Sequence, residues 1–265
     1  MPLTLQTYAK AGDASAALRA AGTRYLGGGT LIVRQVNEAD PSFTILVRTT
    51  DPTLAAIEVT GERARIGAAV TMAAIGRHPG LAFFARVVRS VGGPAIRNMA
   101  TVGGNLFAPA PFGDVAVALL ALDATVSLSA GAAPIEAFLA GREGAYAGAI
   151  VTSVGFALPP AGAFRFVKVL RVKPKGAAVV TIAAVLTEAD GVITAARIAL
   201  GGMSDRPIRA EAAEAALLGR PRDKDGIAPA LAVALDGTAA ITDAIASAWY
   251  RREVLPVHLG RMLLG

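Results

Sequence analysis

Two short glycine runs hold the residue types from which a polyanion site can be built. The first is Tyr25-Leu26-Gly27-Gly28-Gly29-Thr30-Leu31-Ile32. Successive glycines after a strand allow positive φ and remove Cβ atoms, so consecutive amide N–H groups can converge on an anion, with the Thr30 hydroxyl as a further donor. A diphosphate suits such a loop; a plain glycine turn between strand and helix is the alternative, because short glycine motifs match often. The second run is Val91-Gly92-Gly93-Pro94-Ala95-Ile96-Arg97-Asn98-Met99-Ala100-Thr101-Val102-Gly103-Gly104-Asn105-Leu106, continuing to Gly113-Asp114. Here Gly103 and Gly104 permit close backbone approach. Thr101 and Asn105 offer short hydrogen-bonding side chains, and Asp114 offers an acceptor suited to ribose or ribityl hydroxyls. The same residues have a local reading, with Asn105 in a turn and Asp114 as the N-cap of a helix starting at Val115. His78 and His258 stand apart from both runs and read as helix-end or surface residues.

The elements that must position these runs follow from periodicity. An amphipathic stretch from Ala14 to Ala21 and strands near Thr23 to Leu26 and Thr44 to Val47 give a strand-helix-strand order that fits parallel pairing. Alternation marks strands at Ile57 to Val59 and Arg63 to Ile66, and a helix is expected from Leu81 to Val91 before the Gly92-Gly93-Pro94 break. Val115 to Leu122 is a short helix or buried apolar run leading into strand-like Thr125 to Leu128. Pro159-Pro160 marks a domain boundary. Beyond it, Phe164 to Leu170, Val179 to Thr187 and Ile193 to Leu200 read as three antiparallel strands, with Asp190-Gly191 as the turn between the last two. Helical stretches are expected at Ile208 to Leu218, Gly226 to Leu235 and Ala239 to Leu263, the last broken near Pro256. The two glycine runs share only their Gly-Gly pair, so there is no internal repeat.

Composition narrows the function classes. The 265 residues suffice for two hydrophobic cores, and the chain is 54% hydrophobic against 17% charged, a globular balance. No apolar run is long enough for a membrane span, and the first residues lack a secretory pattern, which leaves the cytoplasm as the expected compartment. The net charge of +6 is spread along the chain without a basic patch, which argues against nucleic acid. With Cys 0 there is no disulfide, cysteine nucleophile or iron-sulfur ligation within this chain, and no metal site is read from it.

A resemblance makes the reading specific. Gly27-Gly28-Gly29-Thr30 resembles the Ala-Gly-Gly-Thr element of the FAD subunits of molybdenum hydroxylases, the xanthine dehydrogenase and carbon monoxide dehydrogenase type. Ile96-Arg97-Asn98 through Thr101-Val102-Gly103-Gly104-Asn105-Leu106 resembles their Ile-Arg-Asn, Thr-Val-Gly-Gly-Asn element. The likeness continues through Leu119-Leu120-Ala121-Leu122-Asp123-Ala124, Ala183-Ala184-Val185-Leu186, Ala196-Arg197-Ile198-Ala199-Leu200-Gly201-Gly202 and Arg209-Ala210, nearly the whole chain. It implies an α+β fold: a two-lobed FAD-binding domain of the PCMH type over 1–160, then a small domain over 161–265 with a three-stranded antiparallel sheet and a helical bundle.

By the same resemblance, Gly27 to Leu31 and Thr101 to Asn105 hold the FAD diphosphate, Asp114 bonds the flavin's sugar-like chain, and Lys168 lies near the isoalloxazine ring. Tyr25, Leu26, Ile32, Val91, Gly92 and Ile150 complete the implied cofactor-binding set, together with Gly28, Gly29, Thr30, Val102, Gly103 and Gly104. A cation at Lys168 would stabilise negative charge on the reduced ring; the alternative is a strand lysine with its ammonium in water. Without cysteine, and with both histidines outside the glycine runs, FAD is expected to be held non-covalently. Two departures stand out. Leu31 replaces an Asp common in relatives, and Gly176 and Ala177 stand where relatives often have an acidic residue and an aromatic. No catalytic residue is implied on this chain. The implied partners are a molybdopterin-binding large subunit, a 2Fe-2S small subunit and an external electron acceptor, NAD, oxygen or a quinone. The alternative is a stand-alone FAD-dependent oxidoreductase acting directly on a small molecule.

Overall fold

The computed structural model describes residues 3–172 and 176–265. Of the stretch from Arg171 to Ala177, Lys173, Pro174 and Lys175 lie outside the described residues. The chain forms two compact units, Met1–Ala108 with Ala124–Phe156, and Pro109–Asp123 with Ala157–Gly265. A segment on the N-terminal side of Pro159-Pro160 therefore belongs to the second unit.

The first unit opens with β1 (Thr4–Tyr8), α1 (Ala11–Ala17), β2 (Thr23–Tyr25), α2 (Ile32–Asn37) and β3 (Ile45–Thr49). The strands lie in the order β1-β3-β2, all parallel, as helical crossovers require. Next come β4 (Ile57–Thr60), β5 (Arg63–Gly67), α3 (Met72–Arg77), α4 (Ala85–Ser90), α5 (Pro94–Met99) and α6 (Val102–Leu106). After α7 (Asp114–Ala121), which is part of the second unit, follow β6 (Thr125–Leu128), β7 (Gly131–Pro134), α8 (Ile135–Gly141) and β8 (Val151–Ala157). These strands make a second sheet in the order β4-β5-β8-β6-β7. Its period-2 pattern is plain: Ala64, Ile66, Val126, Val154 and Phe156 are buried, while Glu58, Arg63, Arg65 and Thr125 face outward. The single helix expected from Leu81 to Val91 is instead a 3-10 segment, Pro79–Phe84, followed by α4. Leu81 leaves the helical region at φ −119 and ψ 24, directly after the Pro79-Gly80 pair.

In the second unit, β9 (Phe164–Leu170), β10 (Ala178–Ala189) and β11 (Val192–Gly201) are the expected antiparallel strands, joined by a very short fourth, β12 (Ile208–Arg209), in the order β12-β11-β10-β9. Asp190 and Gly191 both have positive φ, 51 and 77, the geometry of a two-residue type I′ hairpin turn. Both faces of β10 are covered. Val180, Ile182, Ala184 and Leu186 pack into one core with residues of α9 (Glu211–Leu217), α10 (Lys224–Ala232) and α11 (Ala248–Leu264). Thr181 and Ala183 point the other way, where α7 lies on β10 and β11. Every residue of α7 is buried, so its sequence is apolar all round rather than striped.

The C-terminal helices differ from the expected bounds. Ile208 and Arg209 are extended, and α9 begins only at Glu211. The expected helix over 239–263 begins at Ala248, because the segment before it is tied into turns. Asp243 Oδ1 accepts from the Ile245 and Ala246 amides, and the Ser247 hydroxyl caps Tyr250 N–H. Pro256 lies inside α11 without ending it. Among the described residues no helix is long and apolar enough to cross a membrane.

A buried arginine ties α11 to the sheet. Arg251 is 0% exposed; its Nη1 donates to the carbonyls of Val179 (2.7 Å) and Gly202 (3.3 Å), and its Nη2 donates to both oxygens of Asp243 at 2.7 Å. Desolvation raises the Asp243 pKa, but the Ala246 and Ile245 amides and the Arg251 guanidinium outweigh it and hold the carboxyl below its ordinary range. A depressed folded-state pKa contributes stability above the unfolded value, and that contribution is lost as pH falls through the folded one. Asp243→Asn is therefore expected to lower the urea midpoint at pH 7. The wild-type and variant midpoints should converge as pH falls below about 4, the ordinary aspartate value; a gap that stays constant with pH would contradict this.

Candidate functional site

In the first unit the two glycine runs meet. The last sheet bond of β2 runs from Leu26 N–H to Val47 carbonyl at 2.7 Å, after which the chain turns through Gly27-Gly28-Gly29 into α2. From Gly27 to Ile32, no amide N–H donates to a backbone carbonyl among the described residues. Six consecutive donors on one loop are costly to leave without a partner or water. Only Gly29 takes the positive φ expected across this run, at 76°. Gly28 is needed for space: a Cβ there would sit 1.7 Å from the Met99 carbonyl oxygen and 3.1 Å from Ala100 Cα. A Cβ on Gly27 would meet Thr101 Oγ1 at 3.2 Å. The first loop thus lies directly on the backbone that leads into α6.

The second run plays a different part from the first. Gly92, at φ 52, turns the chain after Val91, between α4 and α5, and Arg97 Nη1 clamps this turn through the carbonyls of Gly92 (2.5 Å) and Arg89 (3.3 Å). Arg97, the centre of the Ile-Arg-Asn element, is therefore used in holding the loop. Thr101 N-caps α6, its Oγ1 accepting from Gly104 N–H at 3.2 Å. Val102, Gly103 and Asn105 donate their amides to the carbonyls of Val70, Ala68 and Thr101. Gly103 sits so close to Ala68 that a Cβ would come within 3.0 Å of the Ala68 Cβ. The backbone amides of Val102 to Asn105 are thus engaged within the protein, and Asn105 is a helical residue rather than a turn residue. What this run offers an anion is a surface without bulk and the Thr101 hydroxyl hydrogen.

Two further residues support the loops. Ile150 is 1% exposed in a small core with Ala11, Ala14, Val47 and Leu54, against which Tyr25 packs, so it lies beneath the first loop's strand. Burial pushes the Tyr25 phenol above its usual pKa, against a hydrogen bond with the Thr49 backbone and with a smaller push from the Asp51 charge. Arg142, buried, donates to the carbonyls of Leu106 (2.9 Å) and Ala108 (3.1 Å), satisfying the end of α6. No sequence pattern marks Arg142, a single cation in a Gly/Ala-rich stretch.

The remaining two expected residues, Asp114 and Lys168, belong to the second unit and are partners of each other. Lys168 Nζ donates to Asp114 Oδ2 at 2.6 Å, with the two side chains 7% and 6% exposed. Thr181 donates to Asp114 Oδ1 at 2.8 Å. Asp114 does not cap α7; Gly113, at φ 93, holds the N-cap position, and Asp114 is the first helical residue. Lys168 likewise does not extend into water. Sequence reasoning missed Thr181, although a lone hydroxyl in the apolar run Val179-Val180-Thr181-Ile182 was the available signal.

The donor set fits FAD: a row of N–H groups that donate to no backbone carbonyl among the described residues, over a Cβ-free contact, suits a diphosphate, whose charges such backbone donors stabilise. Comparison with known proteins agrees. Residues 3–159 match the family described as the FAD binding domain in molybdopterin dehydrogenase, and residues 165–265 match the CO dehydrogenase flavoprotein C-terminal domain. The carbon monoxide dehydrogenase medium chain of Afipia carboxidovorans is 30% identical over 246 residues, covering 89% of this chain and 85% of that one. Among solved structures, CO dehydrogenase from Oligotropha carboxidovorans superposes with TM-score 0.87 at 27% identity, covering 99% of this chain and 97% of that one. Quinoline 2-oxidoreductase from Pseudomonas putida 86 superposes with TM-score 0.88 at 25% identity, covering 100% and 96%. Fold and loops together define a flavoprotein of the oxidoreductase class. The chain belongs to the FAD-binding medium subunits of the molybdenum hydroxylase family, and its cofactor is FAD.

Proposed function

We propose that this chain works in the cytoplasm as the electron-exit subunit of a multi-subunit molybdenum dehydrogenase. Its partners are a molybdopterin-binding large subunit and a 2Fe-2S small subunit, and the final acceptor is NAD, oxygen or a quinone. The observation that carries the reading is the row of amides from Gly27 to Ile32 that donate to no backbone carbonyl among the described residues, seated on Met99 and Ala100. Those amides and the hydroxyls of Thr30 and Thr101 bind the diphosphate. Leu31 in place of an acidic residue removes one polar contact from the loop and leaves these donors in place. Bound flavin supplies a carrier that exchanges electrons singly with clusters and in pairs with a hydride acceptor. Lys168 is assigned to the isoalloxazine by the family likeness, and its charge there is partly compensated by Asp114. Since the chain has Cys 0, iron-sulfur clusters must be held on another chain.

Affinity purification of the chain from its native source, followed by native mass spectrometry and metal analysis, tests this. The expected result is a complex with one FAD per copy, together with molybdenum and iron. A yellow protein free of both metals, bleached directly by a small-molecule substrate, would contradict the proposal and identify a stand-alone oxidoreductase.

A further inference from the structure

The two faces of α11, the longest helix among the described residues, do different things. Leu255, Leu259, Met262 and Leu263 pack into the core of the second unit. A helix face that meets only water is ordinarily polar. On the outer face of α11, however, stand Tyr250, Val257 and Leu264, 42%, 50% and 37% exposed. Single exposed apolar residues are ordinary. These three are spaced by seven, only about 20° short of two full turns, so they form one stripe down the helix. Glu253 and Arg261 flank the stripe, four residues before and four after Val257. Both are exposed, and neither makes an ion pair among the described residues.

We infer that this face docks on the same face of a second copy of the chain, the two helices running antiparallel about a two-fold axis at Val257. Two independent pairs of residues point to that axis: Tyr250 with Leu264, and Glu253 with Arg261, have the same midpoint. Turned end for end, the row Glu253, Val257, Arg261 of one helix lies beside the same row of the other, the i±4 ridge packing that is commonest between helices. Glu253 of each copy then faces Arg261 of the other, at two symmetric places, and Val257 meets its own counterpart. Tyr250 and Leu264 close over the partner helix at its two ends. A parallel pair would set glutamate against glutamate and arginine against arginine, so the charges fix the orientation. One helix per copy is a small contact, which makes the dimer concentration-dependent rather than permanent. The inference uses no residue of the cofactor site.

Sedimentation velocity of the full-length chain over a concentration series, with FAD present throughout and thermal melts as a check on folding, tests this. The wild type is expected to pass from monomer to dimer as concentration rises. Glu253→Arg alone and Arg261→Glu alone each set like charges opposite one another at two places, and each is expected to weaken dimerisation at least about 10-fold. The double variant rebuilds both pairs with their signs exchanged and is expected to recover the wild-type dissociation constant. Val257→Asp, which puts two carboxylates on the axis, is expected to stay monomeric. A wild-type chain that is monomeric at every concentration overturns the inference. So does a dimer that neither single reversal weakens, or one that the double reversal does not rescue. A monomeric chain whose Val257→Asp variant fails to assemble with the large or small subunit also overturns it, and assigns the face to a subunit instead of a second copy.

Discussion

Replacing Gly28 with alanine is expected to weaken FAD binding by about 100-fold or more, close to 2.8 kcal/mol at about 1.4 kcal/mol per decade. A single methyl has this effect because its place is already filled: the Met99 carbonyl oxygen lies 1.7 Å from where the Cβ would be. The neighbour is backbone, not a flexible side chain, so the loop must move away from the α5–α6 junction. Displacement carries the amides from Gly27 to Ile32 out of register with the diphosphate, and hydrogen bonds to charged groups contribute about 1.5–3 kcal/mol each. Gly28 does not require positive φ, so the effect is one of space rather than backbone strain. Thr30→Val, which deletes one hydroxyl and leaves the backbone untouched, is expected to lose only about 10-fold, within the range for one hydrogen bond. Fluorescence titration of FAD into each apo-protein, with circular dichroism as a check on folding, measures both. Equal affinities for wild type and Gly28→Ala would remove the loop from the binding site.

The second large effect concerns the frame of the second unit. Arg251→Met is expected to cost about 3–5 kcal/mol, the range for breaking a buried ion pair by removing one partner. The loss reaches beyond Asp243, because the same guanidinium serves the carbonyls of Val179 and Gly202. Gly202 is built around it: at φ 78, a Cβ there would lie 2.5 Å from Arg251 Nη1. Arg251→Lys recovers little, since one ammonium cannot reproduce the bidentate contact with Asp243. Calorimetry is expected to show the transition of this unit lowered by roughly 10 °C, at about 2–4 °C per kcal/mol for a chain of this size. A shift of only a degree or two would show that the helix is held mainly by its apolar face.

Much of this arrangement is legible in the sequence because its signals are local. The parallel pairing of β2 with β3, the long hairpin of β10 and β11, and the turn at Asp190-Gly191 follow from alternation and turn chemistry at neighbouring positions, whereas β1 is not among the strands read from the sequence. The glycine runs, too, announce a close backbone approach. What the sequence does not show is which backbone approaches which. That Gly28 rests on Met99, and Gly103 on Ala68, is a tertiary fact with no trace in spacing. The division of labour between the runs is hidden for the same reason, since the amides of Val102 and Gly103 are satisfied by Val70 and Ala68 only once α6 has packed against β5 and the segment that follows it. Asp114 and Lys168 are each visible as polar residues beside apolar runs, but 54 positions separate them, and their pairing depends on α7 packing against β10. The misplaced start of α11 has a local cause that was open to reading: the Asp243 turn and the Ser247 cap outweigh the helix propensity of the alanines around them.

The most direct measurement is an equilibrium titration of the apo-protein with FAD, FMN and riboflavin under identical conditions. If the first glycine loop grips a diphosphate, FAD saturates at one per chain, ADP competes with it, and FMN binds at least about 100-fold more weakly, the equivalent of two lost charge-assisted hydrogen bonds. Equal affinities for FAD and riboflavin, or failure of ADP to compete, would contradict the account.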